Sequence, residues 1–466
     1  MSATPPPVQE AGFWTLDRVH AALGDGPRGP RWLGSVSTDT RAVRADDIFV
    51  AIRGEQFDGH AFVADAVARG AAAVVVSDLS SVRLPGVAVY HVDDTVQALG
   101  RLARYRRRAW GGPLIAVAGS NGKTSTKELL RAALGSRLHV HATAGNLNNQ
   151  IGVPLTLLAI PSGADIVVAE VGTNHPGEVA LLRAICEPTA AVVTSIAEEH
   201  LEGFGDLAGV LAEETAIYDG VELAFAPAGF PEVVDAARRL AVRAVSAGLD
   251  DGDWRPERWT VSSDGDVEID VEGITVKPRL RGRHNAANTV LALAVARWSG
   301  ITIEDAARGL TSMAEPPMRT AWTELGAATL INDAYNSNPG SARAAIDLLH
   351  GAGGGRQRVL VLGTMRELGA QAERLHDEIA RAALDSGAEI VAGMGDFAGA
   401  LERAAPGSTR VVTAPEVDEL WRSLRPRLAA DAVIMLKGSR GVRLERLLPW
   451  IHEWAGVTRA PSDPSA

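Results

Sequence analysis

Residues 119–125, Gly-Ser-Asn-Gly-Lys-Thr-Ser, stand between an apolar run, LIAVA, and a helical pattern, TKELLRAALG. A strand, a glycine-bounded loop, Lys-Thr-Ser and a helix in that order make a phosphate-binding loop. Gly119 and Gly122 allow backbone N–H groups to turn inward around phosphate oxygens, with Ser120 and Asn121 between them. Lys123 supplies a compact positive charge for the β and γ phosphates, and Thr124 offers a hydroxyl to Mg²⁺. The helix beginning near Ser125 points the positive end of its dipole at the anion. The longer G-x-x-x-x-G-K form would need glycine at position 117, which is Val117, so the fit is to the shorter G-x-x-G-K-T-S.

Carboxylates supply the second half of such chemistry. Glu170 closes the apolar run DIVVAE, and a carboxylate at that end of a sheet either binds Mg²⁺ or is a solvated strand-end acid. The stretch EEHLEGFGDLAGVLAEE (198–214) has an acidic pair at each end and His200 after the first. By itself it reads as readily as a solvated acidic surface.

These residues need a scaffold. The chain has 466 residues, enough for about three domains. RRRAWGGP (106–113) and MAEPPMR (313–319) have linker character and divide it into residues 1–110, 111–316 and 317–466. In the first part DDIFVAI and AAAVVVS read as buried strands, with a helix over FVADAVARG. The second alternates strands and helices, which predicts a parallel sheet covered on both faces. Residues 258–280 alternate at period two around Asp-Gly turns and read as antiparallel strands at an edge of that sheet. The third part has strands RVLVLG, EIVAGMG and AVIMLKG. The expected fold class is α/β in three domains, and ligands in such sheets sit beyond the carboxyl ends of the strands.

The formal charge of −11 argues against a nucleic-acid partner. One cysteine, Cys186, excludes an intramolecular disulfide, fits a reducing cytoplasm and reads as buried packing. No apolar run approaches the roughly 20 residues of a membrane span. The ends, SATPPPVQE and APSDPSA, read as frayed tails without a signal pattern.

GSNGKTS resembles the phosphate loop of the Mur ligases, ATP-dependent amide ligases of peptidoglycan assembly. Further segments resemble that family in its order: VSTDTR (36–41) and FVAIRGEQFDGH (49–60), TAGNLNNQIGVPLTLL (143–158), AEVGTNHPGE (169–178), EEHLEGFG, GRHNAAN (282–288), DAYNSNP (333–339), MRELG (365–369) and LKGSR (436–440). The resemblance covers roughly residues 30–450. It implies a uridine-nucleotide-binding domain, a central ATP-binding domain and a C-terminal Rossmann-like domain. It also implies a reaction in which a carboxylate takes the γ-phosphate of ATP and the acyl phosphate then meets an amine. The Asn-Leu-Asn-Asn, His-Leu-Glu-Gly-Phe and Tyr-Asn-x-Asn-Pro spellings favour UDP-N-acetylmuramoyl-tripeptide and D-alanyl-D-alanine as substrates. A related ligase of another pathway, or a nucleotide-binding protein without catalysis, are the competing readings.

Residue by residue, the resemblance implies Mg²⁺, two ions, at Thr124, Glu170 and His200, with Asn174 and His175 along the phosphate side. Asn285 would meet adenine or cap its helix. Asp333 and Asn336 would reach the nucleotide, and Arg319 the γ-phosphate, where a planar fork suits the task. Ser37, Thr38 and Asp39 would hydrogen-bond uracil or ribose. Asn146, Asn148 and Asn149 would contact pyrophosphate or sugar, or form Asx turns. Lys437 and Arg440 are substrate contacts or surface charges. A monomer is expected.

The sequence departs from the family at two places. Where the family carries a lysine that becomes carbamylated, this chain has Glu214, and the family's nearby glutamate falls on Ala216. No lysine occurs between Lys127 and Lys277. Either Glu214 or its neighbour Glu213 supplies a fixed carboxylate, or ligase activity is lost. Thr364 stands where the family usually has Asp.

Overall fold

In this computed structural model residues 12–54, 57–80 and 85–457 are described, so the two tails and part of the FVAIRGEQFDGH segment lie outside the described residues. Four sheets form among them. The first contains β1 (Val36–Ser37), β2 (Ile48–Val50), β3 (Ala73–Val76) and β4 (Ala88–His91), parallel and in chain order.

The second holds β5 (Leu114–Ala118), β6 (Val140–Ala142), β7 (Ile166–Glu170), β8 (Ala190–Val193), β9 (Leu223–Pro227) and β10 (Arg243–Ala247). All are parallel, in the order β10-β9-β8-β5-β7-β6. β5, β7, β8 and β9 are buried throughout, as continuous apolar runs in a two-sided parallel sheet require. The chain reverses its winding at β5, so a crevice opens beyond that strand's carboxyl end.

β11 (Arg258–Val261), β12 (Val267–Val271) and β13 (Ile274–Val276) are antiparallel, as their alternation predicts. They form a sheet of their own and not an edge of the large one. Their link to it is a bridge between Ala247 and Trp254. Their inner residues Val267, Ile269 and Val271 join one core with Leu129, Leu130 and Leu291 from the helices Lys123–Gly135 and Arg283–Trp298. The strands therefore cover helices and add none to the sheet.

The last sheet runs β14-β15-β19-β16-β17-β18. Its strands are β14 (Ala321–Leu325), β15 (Ala328–Asp333), β16 (Arg358–Leu362), β17 (Ile390–Met394), β18 (Val411–Ala414) and β19 (Val433–Lys437). β14 is antiparallel and the rest parallel. Its winding reverses between β15 and β16, where Asp333 and Lys437 end their strands.

The stretch 106–113 is not a loose linker at its start. The helix Thr95–Trp110 runs through it to a left-handed cap at Gly111. Arg106 and Arg107 are buried: their guanidinium groups donate to the carbonyls of Ile160 and of Cys186 and Glu187. The 313–319 stretch is a loop, as its prolines suggest.

Candidate active site

The carboxyl ends of the second and fourth sheets face a common cavity of about 490 Å³. Residues 120–125 of the phosphate loop, Glu170, His200, Arg319, Asp333 and Lys437 all line it. Gly122, left-handed at φ 85°, starts the helix Lys123–Gly135. A Cβ at Gly119 would stand 2.5 Å from Thr194 Oγ, so that position has no room for one.

The loop's donors are divided unlike the simple expectation. The Gly119 N–H is given to Glu214 Oε2 at 2.7 Å, the Ser120 N–H to the Ser195 carbonyl at 2.8 Å and the Asn121 N–H to Ser195 Oγ at 3.0 Å. An anion is therefore left to the first turn of the helix, Lys123 to Ser125, whose N–H groups have no partner within the helix. Lys123 Nζ donates back to the Gly119 carbonyl and lies 3.8 Å from Glu214 and 3.9 Å from Glu199. Burial disfavours its charge, but Glu199, Glu214 and Glu170 outweigh burial and the repulsion from Arg319. The ammonium is thus held above its ordinary pKa.

Three carboxylates converge here. Glu170 Oε1 accepts from Thr124 Oγ at 3.2 Å and Asn148 Nδ2 at 2.9 Å, while Oε2 sits 3.8 Å from Lys127 Nζ. Glu214 is fully buried, and burial, with Glu199 close by, pushes its carboxyl pKa up. One oxygen each of Glu170, Glu199 and Glu214 is buried with no hydrogen-bond partner. Buried carboxylate oxygens without donors call for a cation. No group of three or more His, Cys, Asp or Glu side chains among the described residues is arranged to hold a metal alone. A hard cation here would take hydroxyl and phosphate oxygens beside carboxylate, the mixed oxygen set of Mg²⁺, and the residues fit it.

Glu213 and Glu214 have separate tasks. Glu213 accepts from Thr173 Oγ and from the N–H groups of Gly177 and Val179, at 2.7 to 3.0 Å, and so anchors the loop after β7. Glu214 faces Lys123.

From the last sheet, Arg319 is presented between Met318 and Thr320, both left-handed at φ 57° and 54°. Its guanidinium lies over the Tyr335 ring at 4.3 Å, and Arg440 lies 5.5 Å from the same ring. Asp333 accepts the Thr320 N–H at 3.0 Å and Lys437 Nζ at 2.7 Å; Lys437 also donates to the Asn336 carbonyl at 2.9 Å. Lys437 is thus a buried strut and not a surface charge. His200, left-handed at φ 50°, pairs through Nδ1 with Glu367, which leaves Nε2 as its other ring nitrogen.

Asn285 is buried, donates to the Arg281 carbonyl at 2.9 Å and lines the cavity. It lies inside the helix, whose N-cap is Gly282, so it is not the cap. Asn148 holds Glu170, and Asn149 Oδ1 accepts the N–H groups of Ile151 and Gly152 as an Asx turn while lining the cavity. Asn146 is exposed, and Asn174 lines the cavity while exposed His175 does not. Ser37, Thr38 and Asp39 also lie outside it. Ser37 Oγ and the Asp39 carboxylate serve a local turn, the latter held below its ordinary pKa by the side chain of Arg41. Thr364 Oγ accepts the Asp396 N–H at 3.0 Å between the ends of β16 and β17.

Sequence reasoning passed over Glu199, Tyr335 and Arg366. Glu199 was half-visible as the second acid of a pair that precedes His200. Arg366 lines, with Arg440, Tyr335 and Ser337, a side chamber of about 310 Å³ that shares Glu199 and His200 with the main cavity.

Comparison with known proteins settles the family. Residues 33–107 match the Mur ligase family, catalytic domain; residues 117–296 the Mur ligase middle domain; residues 318–440 the Mur ligase, glutamate ligase domain. The chain belongs to the Mur ligase family. It is 34% identical over 422 residues to the UDP-N-acetylmuramoyl-tripeptide–D-alanyl-D-alanine ligase of Bacillus subtilis, covering 89% of this chain and 92% of that one. With the enzyme of the same name from Escherichia coli it shares 35% identity over 433 residues, 90% and 94% of the two chains. A crystal structure of MurF from Acinetobacter baumannii superposes with a TM-score of 0.87 at 28% identity, over 95% of this chain and 99% of that one. MurF from Thermotoga maritima in complex with ADP gives 0.80 at 26%, over 91% and 98%.

Proposed function

We propose that this Mur ligase joins D-alanyl-D-alanine to UDP-N-acetylmuramoyl-tripeptide at the expense of ATP. The observation that carries the reading is the cavity on which Lys123, Glu170 and Arg319 converge from two sheets, with Glu214 buried behind it on the Gly119 N–H and 3.8 Å from Lys123. The working division is residues 1–110 for the uridine nucleotide, 111–316 for ATP and 317–466 for closure over the site. One chain holds the whole residue set, which supports a monomer, and a cytoplasmic setting supplies ATP and a reduced Cys186.

The first step brings a substrate carboxylate to the γ-phosphate. Lys123 and the first turn of its helix bind the phosphates, and Arg319 places a fixed fork over the γ-phosphate. Mg²⁺, two ions in this reading, would be held by Thr124, Glu170, His200 and Glu214 and would neutralise charge between the anions. Glu214 supports a genetically encoded carboxylate in place of a carbamylated lysine, since Glu213 is spent on three donors. In the second step the acceptor's amine meets the acyl phosphate. Arg366 and Arg440 in the side chamber suit the dipeptide's carboxylate at its far end. An adjoining cavity of about 610 Å³, walled by Phe230, Leu249, Leu291 and Leu348, suits the nucleoside near Asn285.

Phosphate release from Mg-ATP should require both the tripeptide nucleotide and D-alanyl-D-alanine, with the joined product seen by mass spectrometry. Equal release with an unrelated amine would overturn the acceptor. Activity should persist in bicarbonate-stripped buffer and fall on Glu214→Gln; a Glu214→Gln enzyme with full activity would remove Glu214 from the site.

A further inference from the structure

Asn338 makes two kinds of bond at once. It caps the helix Pro339–Gly351: its Oδ1 accepts the Ser341 N–H at 2.8 Å, and Ser341 Oγ accepts the Asn338 N–H at 3.0 Å. Capping uses the side-chain oxygen and leaves the amide nitrogen free for other work. That nitrogen crosses to the central domain and donates to Asn121 Oδ1 in the phosphate loop at 2.9 Å. Asn121 is fastened from the other side, because its carbonyl accepts Thr194 Oγ at 2.6 Å and Ser195 Oγ at 3.1 Å.

The approach is close by construction. A Cβ on Gly340 would stand 3.1 Å from Ala197 Cβ and 3.2 Å from Asn121 Nδ2, so the residue two after the cap has little room for a side chain. Asn338 is 3% exposed. Asn121 is half-buried at the cavity, so the bond is partly shielded from water, where a hydrogen bond counts for more.

We infer that Asn338 is a positioning residue that, through Asn121, sets the phosphate loop for nucleotide when the third domain is seated. The inference rests on the ligase reading above and adds how loop and domain are joined. Seating the third domain brings Arg319 over the cavity and engages Asn121 in one event, so nucleotide and closure favour one another. Capping alone would give Asn338 a part in stability and none in nucleotide binding.

Asn338→Ser separates the two roles. Serine caps as well as asparagine and is neutral, but it is too short to reach Asn121. The melting temperature should stay within about 2 °C of wild type. kcat/KM for ATP should fall about 10-fold, the loss of one partly buried hydrogen bond. In a double-mutant cycle, Asn121→Ala with Asn338→Ser should be no worse than Asn121→Ala alone. Asn338→Ala should lose the cap too and melt lower. Wild-type kcat/KM in Asn338→Ser, or effects of the two substitutions that multiply, would overturn the inference. Calorimetric ADP binding reads the same contact without turnover, with about 10-fold weaker affinity expected in Asn338→Ser. Wild-type protein that binds ADP but releases no phosphate with both substrates would overturn the ligase reading and leave this measurement intact.

Discussion

The helix Thr95–Trp110 meets the central domain through buried apolar side chains and two arginines that bond main-chain carbonyls. The third domain meets it across a polar cavity, through Asn338 on Asn121 and Glu367 on His200. Ile160 and Cys186 line none of the three cavities, so the first contact stands apart from them. Asn121 and His200 both line the main cavity, so each bond of the second contact joins the domain to a group at that cavity. One interface fixes a scaffold; the other, on the proposal above, ties domain position to the site's occupancy.

The sharpest way to break this contrast is at Arg319. Arg319→Ala should cut phosphate release about 10²- to 10³-fold, the scale of one transition-state contact to developing charge. Its melting temperature should scarcely move, because the side chain rests on a ring and, among the described residues, pairs with no acid. A large loss of stability with modest loss of turnover would mean that the cavity holds the fold together and the contrast fails.

At the other interface the pattern should reverse. Arg107 is buried, with Nε on the Cys186 carbonyl at 2.9 Å and Nη2 on the Glu187 carbonyl at 3.1 Å. Both carbonyls end the helix Glu178–Cys186, where a cation also meets the negative end of the dipole. Arg107→Met should strand both and cost about 2–3 kcal/mol in urea unfolding, with turnover per folded molecule unchanged. Turnover that falls with stability would show that this interface also reports to the site.

Much of this could be read before the fold. The glycine-bounded turn into the helix was legible because its geometry demands glycine at fixed positions, and the place of Glu170 at the cavity because crevices open beyond the carboxyl ends of parallel strands. The edge-strand reading of 258–280 failed because alternation fixes strand type but not the partner surface. Arg106 and Arg107 looked like part of a linker because charge runs are usually solvated, as Arg108 is; their carbonyl partners lie far along the chain. Glu199 and Glu198 are indistinguishable by type, yet Glu199 is buried and Glu198 less so. Tyr335, Arg366 and Asn338 owe their roles to the approach of the third domain, a contact that no local pattern encodes.

The smallest effect tests how dry the first interface is. Cys186 is fully buried beside Arg107, and burial pushes its thiol up to about 12 from an ordinary 9. The folded thiol therefore keeps its proton where the unfolded one loses it. Between those values the unfolded state binds fewer protons, so stability must fall as pH rises, by up to about 1 kcal/mol per pH unit from this group. Below pH 9 the contribution is fully present. Tyrosines and lysines titrate in the same range, so the measurement is a difference: urea unfolding of wild type and Cys186→Ala at pH 8 and pH 10. The wild type should lose about 1 kcal/mol more than the variant. The native thiol should also resist a disulfide reagent at pH 8 and react once unfolded. Equal pH slopes would place water at Cys186, and an interface that admits water there would no longer differ in kind from the cavity on the far side of the domain.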